Sequence, residues 1–242
     1  MKNSKFKIVL LVTEKSWYVL SLLEMLSSEK KNEVLLLLKK NDSRNSISSI
    51  NNNIKGIGIL PTLKKLLRRL PVQFKFLKYK SKIIKIKSFS EVKKIHNVDI
   101  SIAYNTGILG YKAYNHPVYG TICAHPALLP KGRGIAGSDQ SILNNDPVGV
   151  TIFKIGSGVD TGDIFFQQEI NINKLYSYSD LRESLSNLSL ILTIKSINAI
   201  KNGGKPYKQE AIFPYVKLDL FERKKAMKLW KEVFDRNKRH LI

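Results

Sequence analysis

The chain has 242 residues, 43% of them hydrophobic, and a formal net charge of +22. That length suits one domain, or one domain with a small appendage, and can bury a sizeable core without staples. A single cysteine excludes an intramolecular disulfide and a cysteine-rich zinc site, and no apolar run reaches the ~20 residues of a membrane span. No metal centre is expected. The charge has two readings. One is a polyanionic partner: nucleic acid, an anionic membrane or a phosphorylated substrate. The other, favoured here, is a composition heavy in Lys, Asn and Ile, because the lysines are scattered and no basic-aromatic motif repeats.

The N-terminal MKNSKFKIVLLVTEKSW is basic and then apolar, as a signal peptide is. Its apolar part is short, runs into Glu14 and Lys15, and lacks a small-residue cleavage site. It reads instead as the first strand, FKIVLLV over Phe6–Val12, of a cytoplasmic protein. Such a continuous β-branched run marks a strand covered on both faces. WYVLSLLEML has helical spacing, and EVLLLL (Glu33–Leu38) is a second buried strand. NDSRNSISSINNN (Asn41–Asn53) is polar and low in complexity, a loop. In PTLKKLLRRLP, Pro61 suits a first helical turn and Leu63, Leu66, Leu67 and Leu70 share one face. That stripe fits a membrane-surface helix, but more often packs on its own domain with the basic face in water. SKIIKIKSF alternates as a third strand, SEVKKIH is a short helix and VDISIAY (Val98–Tyr104) is a fourth strand. GTICAH is a fifth strand and VGVTIFKI a sixth, with DIFFQQEINI extending the sheet. A long helix opens at Ser179 or Asp180, carries Leu181, Leu185, Leu188 and Leu192, and ends at Gly203 and Gly204. FERKKAMKLWKEVFDRNKRH is a basic amphipathic helix. Strands alternating with helical spacers predict an α/β fold: a doubly wound, mostly parallel, Rossmann-like sheet. Residues 1–204 form the expected main domain and 205–242 a basic helical tail.

Open α/β sheets bind ligands beyond the carboxyl ends of their strands. The fifth strand delivers His125 there, ahead of a loop stiffened by Pro126 and Pro130 and turned by Gly132 and Gly134. A histidine so placed serves as general acid or base, or equally well as a surface residue at a strand end. The sixth strand exits into IGSGVDTGDIFFQ, where Gly156 and Gly158 precede Asp160 and Gly162 follows it. A glycine-rich backbone can wrap a flat ligand, and a carboxylate facing the same crevice would orient the imidazole. Asp160 is also readable as an ordinary turn residue.

HPALLPKGRG followed by ILNNDPVGVTIFKIGSGVDTGDIFFQQEI resembles the 10-formyltetrahydrofolate-dependent formyltransferases, most closely those acting on nucleotide-linked amino sugars. The resemblance covers about Val98–Ile170 well and the first strand loosely. It implies transfer of a formyl group from 10-formyltetrahydrofolate to an amine. It places the family's histidine on His125 and its aspartate on Asp160, and its asparagine on Cys123, where this chain departs from the pattern. In the family the asparagine amide and a protonated histidine stabilise a tetrahedral oxyanion, while the aspartate supports the histidine charge and helps move the amine proton. A thiol is a far weaker donor than an amide. Cys123 is therefore readable as a tolerated substitution compensated by His125, Asn105, Asn115 or a main-chain N–H. It is also readable as the mark of an impaired member, as a formyl-carrying nucleophile, or as an ordinary buried cysteine. The folate site implied by the resemblance uses NTGIL, with Ile108 and Leu109 beside the pterin, and the loop Ile155, Gly156, Ser157, Gly158 and Val159.

The resemblance also bears on the acceptor. Relatives acting on tRNA carry a further C-terminal β-barrel, whereas the residues here after the long helix read as helical. Purine-synthesis relatives usually carry a glycine-rich phosphate loop after the first strand; here that place reads VTEKSWYVL. An anionic nucleotide-linked amino sugar of a surface-polysaccharide pathway is the expected small-molecule substrate, which a basic protein would attract. tRNA is disfavoured and a homodimer is left open. The rival functions are a formyltetrahydrofolate hydrolase and a catalytically impaired family member.

Overall fold

Leucine and β-branched residues fill β1 (Phe6–Val12) and β2 (Asn32–Lys39), and from Ile8 to Val12 no β1 side chain is more than 1% exposed. A strand apolar on both faces is stable only when both faces are covered. The computed structural model describes residues 5–39 and 70–239, in two compact units, Met1–Val118 and Tyr119–Ile242. The polar stretch Asn41–Asn53 and residues 61–69 of the leucine stripe fall outside the described residues.

In the first unit β1 lies between β2 and β4 (Ile100–Tyr104), and β3 (Ile83–Ile86) lies beyond β2, all parallel. The register sets Ile8 beside Val34 on one side and Ile100 on the other. α1 (Trp17–Ser28) starts where the Ser16 hydroxyl accepts the Val19 N–H, and buries Val19, Leu20, Leu22, Leu23 and Leu26. α2 (Leu70–Leu77) buries Val72 and Phe76. The short helix expected over SEVKKIH is a 3-10 turn, Phe89–Lys94, opened by a reciprocal Ser88–Glu91 capping box. α3 (Tyr111–Tyr114) is a single turn.

The second unit contains β5 (Thr121–His125), β6 (Gly134–Ile135), α4 (Gly137–Leu143), β7 (Gly149–Lys154), β8 (Ile164–Glu169), α5 (Tyr178–Lys201), β9 (Val216–Lys217) and α6 (Leu220–Arg239). The α/β class holds: β1 to β4 are parallel in the first unit, and in the second β6 and β9 pair in parallel. Here β7 runs antiparallel to both β5 and β8. The loop 155–163 is too short for the crossover of about a dozen residues that a parallel pair requires. α5 starts slightly ahead of the expected Ser179 or Asp180. Ser177 caps it by accepting the Asp180 N–H, and the Asp180 carboxylate accepts the Tyr176 N–H.

The segment after α5 is helical only from Leu220. Before that, Pro206 and Pro214 interrupt any helix. Tyr207 bridges Ile164 instead, and Val216–Lys217 pairs in parallel with Gly134–Ile135. α6 buries Ala226, Trp230, Val233 and Phe234. Trp230 is fully buried, and its indole N–H donates to Asp139 Oδ1 on α4 at 3.0 Å. The Tyr178 hydroxyl reaches the same carboxylate at 3.2 Å, so Asp139 ties α4, α5 and α6 together. Among the described residues no helix is long and apolar enough to cross a membrane.

Candidate active site

Alternation along β5 sets Thr121, Cys123 and His125 on one face. Antiparallel β7 places Phe153 opposite Cys123 and Thr151 opposite His125. His125 is buried, and its Nε2 lies 2.8 Å from the Gly132 carbonyl. A carbonyl can only accept, so Nε2 carries the hydrogen. Proton exchange is thereby left to Nδ1, which lies 3.8 Å from Asp160 Oδ2. That separation is too long for a hydrogen bond but short enough for strong attraction once the ring is charged. Gly137 backs the ring: a Cβ there would lie 3.0 Å from Nε2 and 2.9 Å from the Gly132 carbonyl.

The HPALLP loop is held by one hydroxyl. Thr151 Oγ1 donates to the Ala127 carbonyl at 2.7 Å and accepts from the Leu129 N–H at 3.0 Å and Gln167 Nε2 at 2.9 Å. This uses the full capacity of a hydroxyl group. Gln167 donates as well to the Leu129 carbonyl at 2.5 Å.

Asp160 stands at φ 53°, in the left-handed region. Its Oδ2 accepts the Gly134 N–H at 3.0 Å. Arg133 braces the same loop, Nε donating to the Val159 carbonyl at 2.5 Å and a terminal nitrogen to the Phe213 carbonyl at 2.6 Å. Gly162 is dictated by space, since a Cβ there would sit 1.5 Å from the Lys154 carbonyl. The pairing of His125 with Asp160, expected from two loops about 35 residues apart, is thus present within one unit.

Cys123 packs with Ile155 against the cluster of Leu129, Phe153 and Ile164. Burial, reinforced by the Asp160 carboxylate, pushes its thiol up to about 12. It is a neutral S–H at physiological pH and donates to the Ala124 carbonyl at 3.6 Å. That disfavours the nucleophilic reading, which needs a thiolate.

The remaining residues divide. Ile155 faces the cluster, so its side chain is committed to the core. Gly156, Gly158 and Val159 are half-buried and Ser157 is exposed. No atom lies within 4 Å of a Cβ built on Gly156, so the backbone has an open side there. In the first unit Ile108 is 87% exposed, whereas Leu109 is buried. The proposed compensating amides are both engaged: Asn105 donates to Glu14 at 3.1 Å and Asn115 to the Tyr111 hydroxyl at 2.9 Å. Arg133, Thr151, Gln167 and Gln209 were not singled out from sequence. Arg133 lies inside the quoted HPALLPKGRG motif, but Gln209 carries no local signal.

The formyl transferase family matches residues 6–197. Methionyl-tRNA formyltransferase of Halothermothrix orenii is 36% identical over 104 residues, 43% of this chain and 33% of that protein. The Caldicellulosiruptor saccharolyticus enzyme of that name is 30% identical over 164 residues, 60% of this chain and 52% of that protein. The chain therefore spans about half or less of the curated relatives it matches. Among solved structures, a 4-N formyltransferase from Francisella tularensis aligns over 93% of this chain and 86% of that one, with TM-score 0.62 and 20% identity. PseJ from Anoxybacillus kamchatkensis, in complex with UDP-4,6-dideoxy-4-formamido-L-AltNAc and tetrahydrofolate, aligns over 94% and 97%, with TM-score 0.56 and 22% identity. At those identities the likeness establishes the fold.

Proposed function

The chain belongs to the formyl transferase family, and on that premise we propose that it moves a formyl group from 10-formyltetrahydrofolate to the amino group of a nucleotide-linked amino sugar. The observation that carries the transfer chemistry is the approach of His125 Nδ1 to Asp160 Oδ2 with Nε2 held by Gly132. On this reading residues 1–204 are the catalytic part and 205–242 its basic extension.

The amine nitrogen attacks the formyl carbon and the carbonyl oxygen becomes an oxyanion. Protonated His125, its charge supported by Asp160, stabilises that oxyanion; a preorganised donor acts most strongly in a dry site. The amine proton passes to the His125–Asp160 pair. The bond from the carbon to N10 breaks, and N10 leaves with a proton. Cys123 contributes at most a weak S–H donor, and lacking one good oxyanion donor costs roughly 100–1,000-fold in rate. The open backbone at Gly156 supports a flat ligand lying along 156–159.

The sugar acceptor draws support from neighbours such as PseJ, aligned over nearly all of both chains; the net charge of +22 suits any anionic acceptor and does not choose between them. One observation favours a second acceptor, methionyl-tRNA: the relatives at 30–36% identity bear that name. Release of tetrahydrofolate decides between them, measured with nucleotide-linked amino sugars, with methionyl-tRNA and with neither. Sugar-dependent turnover is expected. tRNA-dependent turnover establishes the second reading, and acceptor-independent turnover establishes a hydrolase. If all three are silent, Cys123→Asn separates an impaired oxyanion site, which gains rate, from a chain without this chemistry.

A further inference from the structure

Asp160 and its neighbours need outside support. A non-glycine residue at φ 53° lies in a sparsely populated region, at a cost of about 1 kcal/mol or more. A half-buried turn carbonyl also needs a donor where water does not reach it. At this turn the donors are side chains: Arg133 serves the Val159 carbonyl, and Gln209 Nε2 serves the Asp160 carbonyl at 3.1 Å and the Gly162 carbonyl at 2.8 Å. One amide group thus spans the turn on both sides of Thr161.

Gln209 belongs to the segment between α5 and α6, far from the turn in sequence. That segment is fastened at both ends. Tyr207 and Ile164 exchange backbone hydrogen bonds at 2.8 and 2.9 Å, and Val216 pairs with Gly134. Between these points Arg133 also holds the Phe213 carbonyl. Gln209 is therefore presented to the turn by a backbone fixed on either side.

We infer that Gln209 is a positioning residue: by bridging the Asp160 and Gly162 carbonyls it holds the Asp160 carboxylate between the Gly134 N–H and His125 Nδ1. Its role in catalysis rests on the formyl-transfer reading; its role in positioning does not. The Gly134 amide reports on it directly, because its acceptor is Asp160 Oδ2.

The test compares Gln209→Ala and Gln209→Glu with the unsubstituted protein. Gln209→Glu keeps the shape but turns an acceptor oxygen towards two carbonyls. Amide exchange at Gly134 is expected to quicken by roughly tenfold or more in both variants and in an Asp160→Ala control, while core amides such as Ile152 keep their rates. In the formyl-transfer assay kcat falls roughly 10–100-fold with the KM for the formyl donor within about twofold, the pattern of a misplaced group rather than a lost binding contact. Unchanged Gly134 exchange in both variants overturns the inference, whatever the activity. Should the unsubstituted protein transfer no formyl group, the functional reading fails, and Gly134 exchange still decides the positioning claim.

Discussion

β1 and β7 are both interior strands, yet their surroundings differ in kind. β1 meets mainly aliphatic side chains, Leu36 and Leu37 from β2 and Ile100 and Ile102 from β4, all at most 2% exposed, with one buried serine, Ser101, beside Val9. β7 alternates aliphatic Val150 and Ile152 with a fully buried Thr151 that makes three hydrogen bonds. Aliphatic burial is non-directional and tolerates repacking of similar volume. A hydrogen-bonded hydroxyl specifies where each partner must lie. The first unit's sheet rests mainly on aliphatic packing; the second unit adds a buried hydroxyl and half-buried side chains that hold the loops beside His125 and Asp160.

That contrast can be broken at several points. Trp230→Ala should cost the most, about 3–5 kcal/mol by chemical denaturation, because it empties a fully buried site. It also removes the indole donor from Asp139. Next comes Cys123, the chain's one thiol. With its pKa at about 12 rather than 9.0, its thiolate fraction at pH 8 is lower on the order of a thousandfold. Alkylation of the native protein should be correspondingly slow and should recover in denaturant. Thr151→Val should cost about 1–3 kcal/mol, since the Leu129 N–H, the Ala127 carbonyl and Gln167 lose a shared partner. Leu36→Met in the first unit, a volume-conserving change, should cost less than about 1.5 kcal/mol. Equal losses for these two would dissolve the contrast.

The smallest effect lies in the first unit's capping box. Lys94, with the Lys87 and Ser88 N–H groups, lowers the Glu91 carboxyl from 4.5 to about 2. A depressed acid contributes its stability above its unfolded value and loses it as pH falls through the folded one. Glu91→Gln should therefore remove that contribution at neutral pH and flatten the stability profile between about pH 4.5 and 2, where the unsubstituted protein loses it; the exposed setting keeps the change small.

What the sequence disclosed follows the same division. Hydrophobic runs are local, so Phe6–Val12 is legible to the residue and β2 to within one residue at each end. The long helix differs at its start because the cap is Ser177, chosen by a side-chain hydrogen bond that periodicity does not register. Strand direction in the second unit depends on loop length and on pairing across the chain, and β9 is only two residues long. The approach of His125 to Asp160 is legible because the motif around each is distinctive. Gln209 is not, because one glutamine among polar neighbours has no periodicity; only the folded chain shows which carbonyls it meets.

The hydrogen bond from His125 to Gly132 governs how this side chain handles protons. An imidazole relay ordinarily receives a proton on one edge and releases it from the other. Here one edge is fastened to the chain, and turning the ring over would break that attachment. On the proposed reading the side chain works as a single-door antechamber rather than a corridor: any proton admitted at Nδ1 departs by the same atom, to the substrate or to the neighbouring carboxylate.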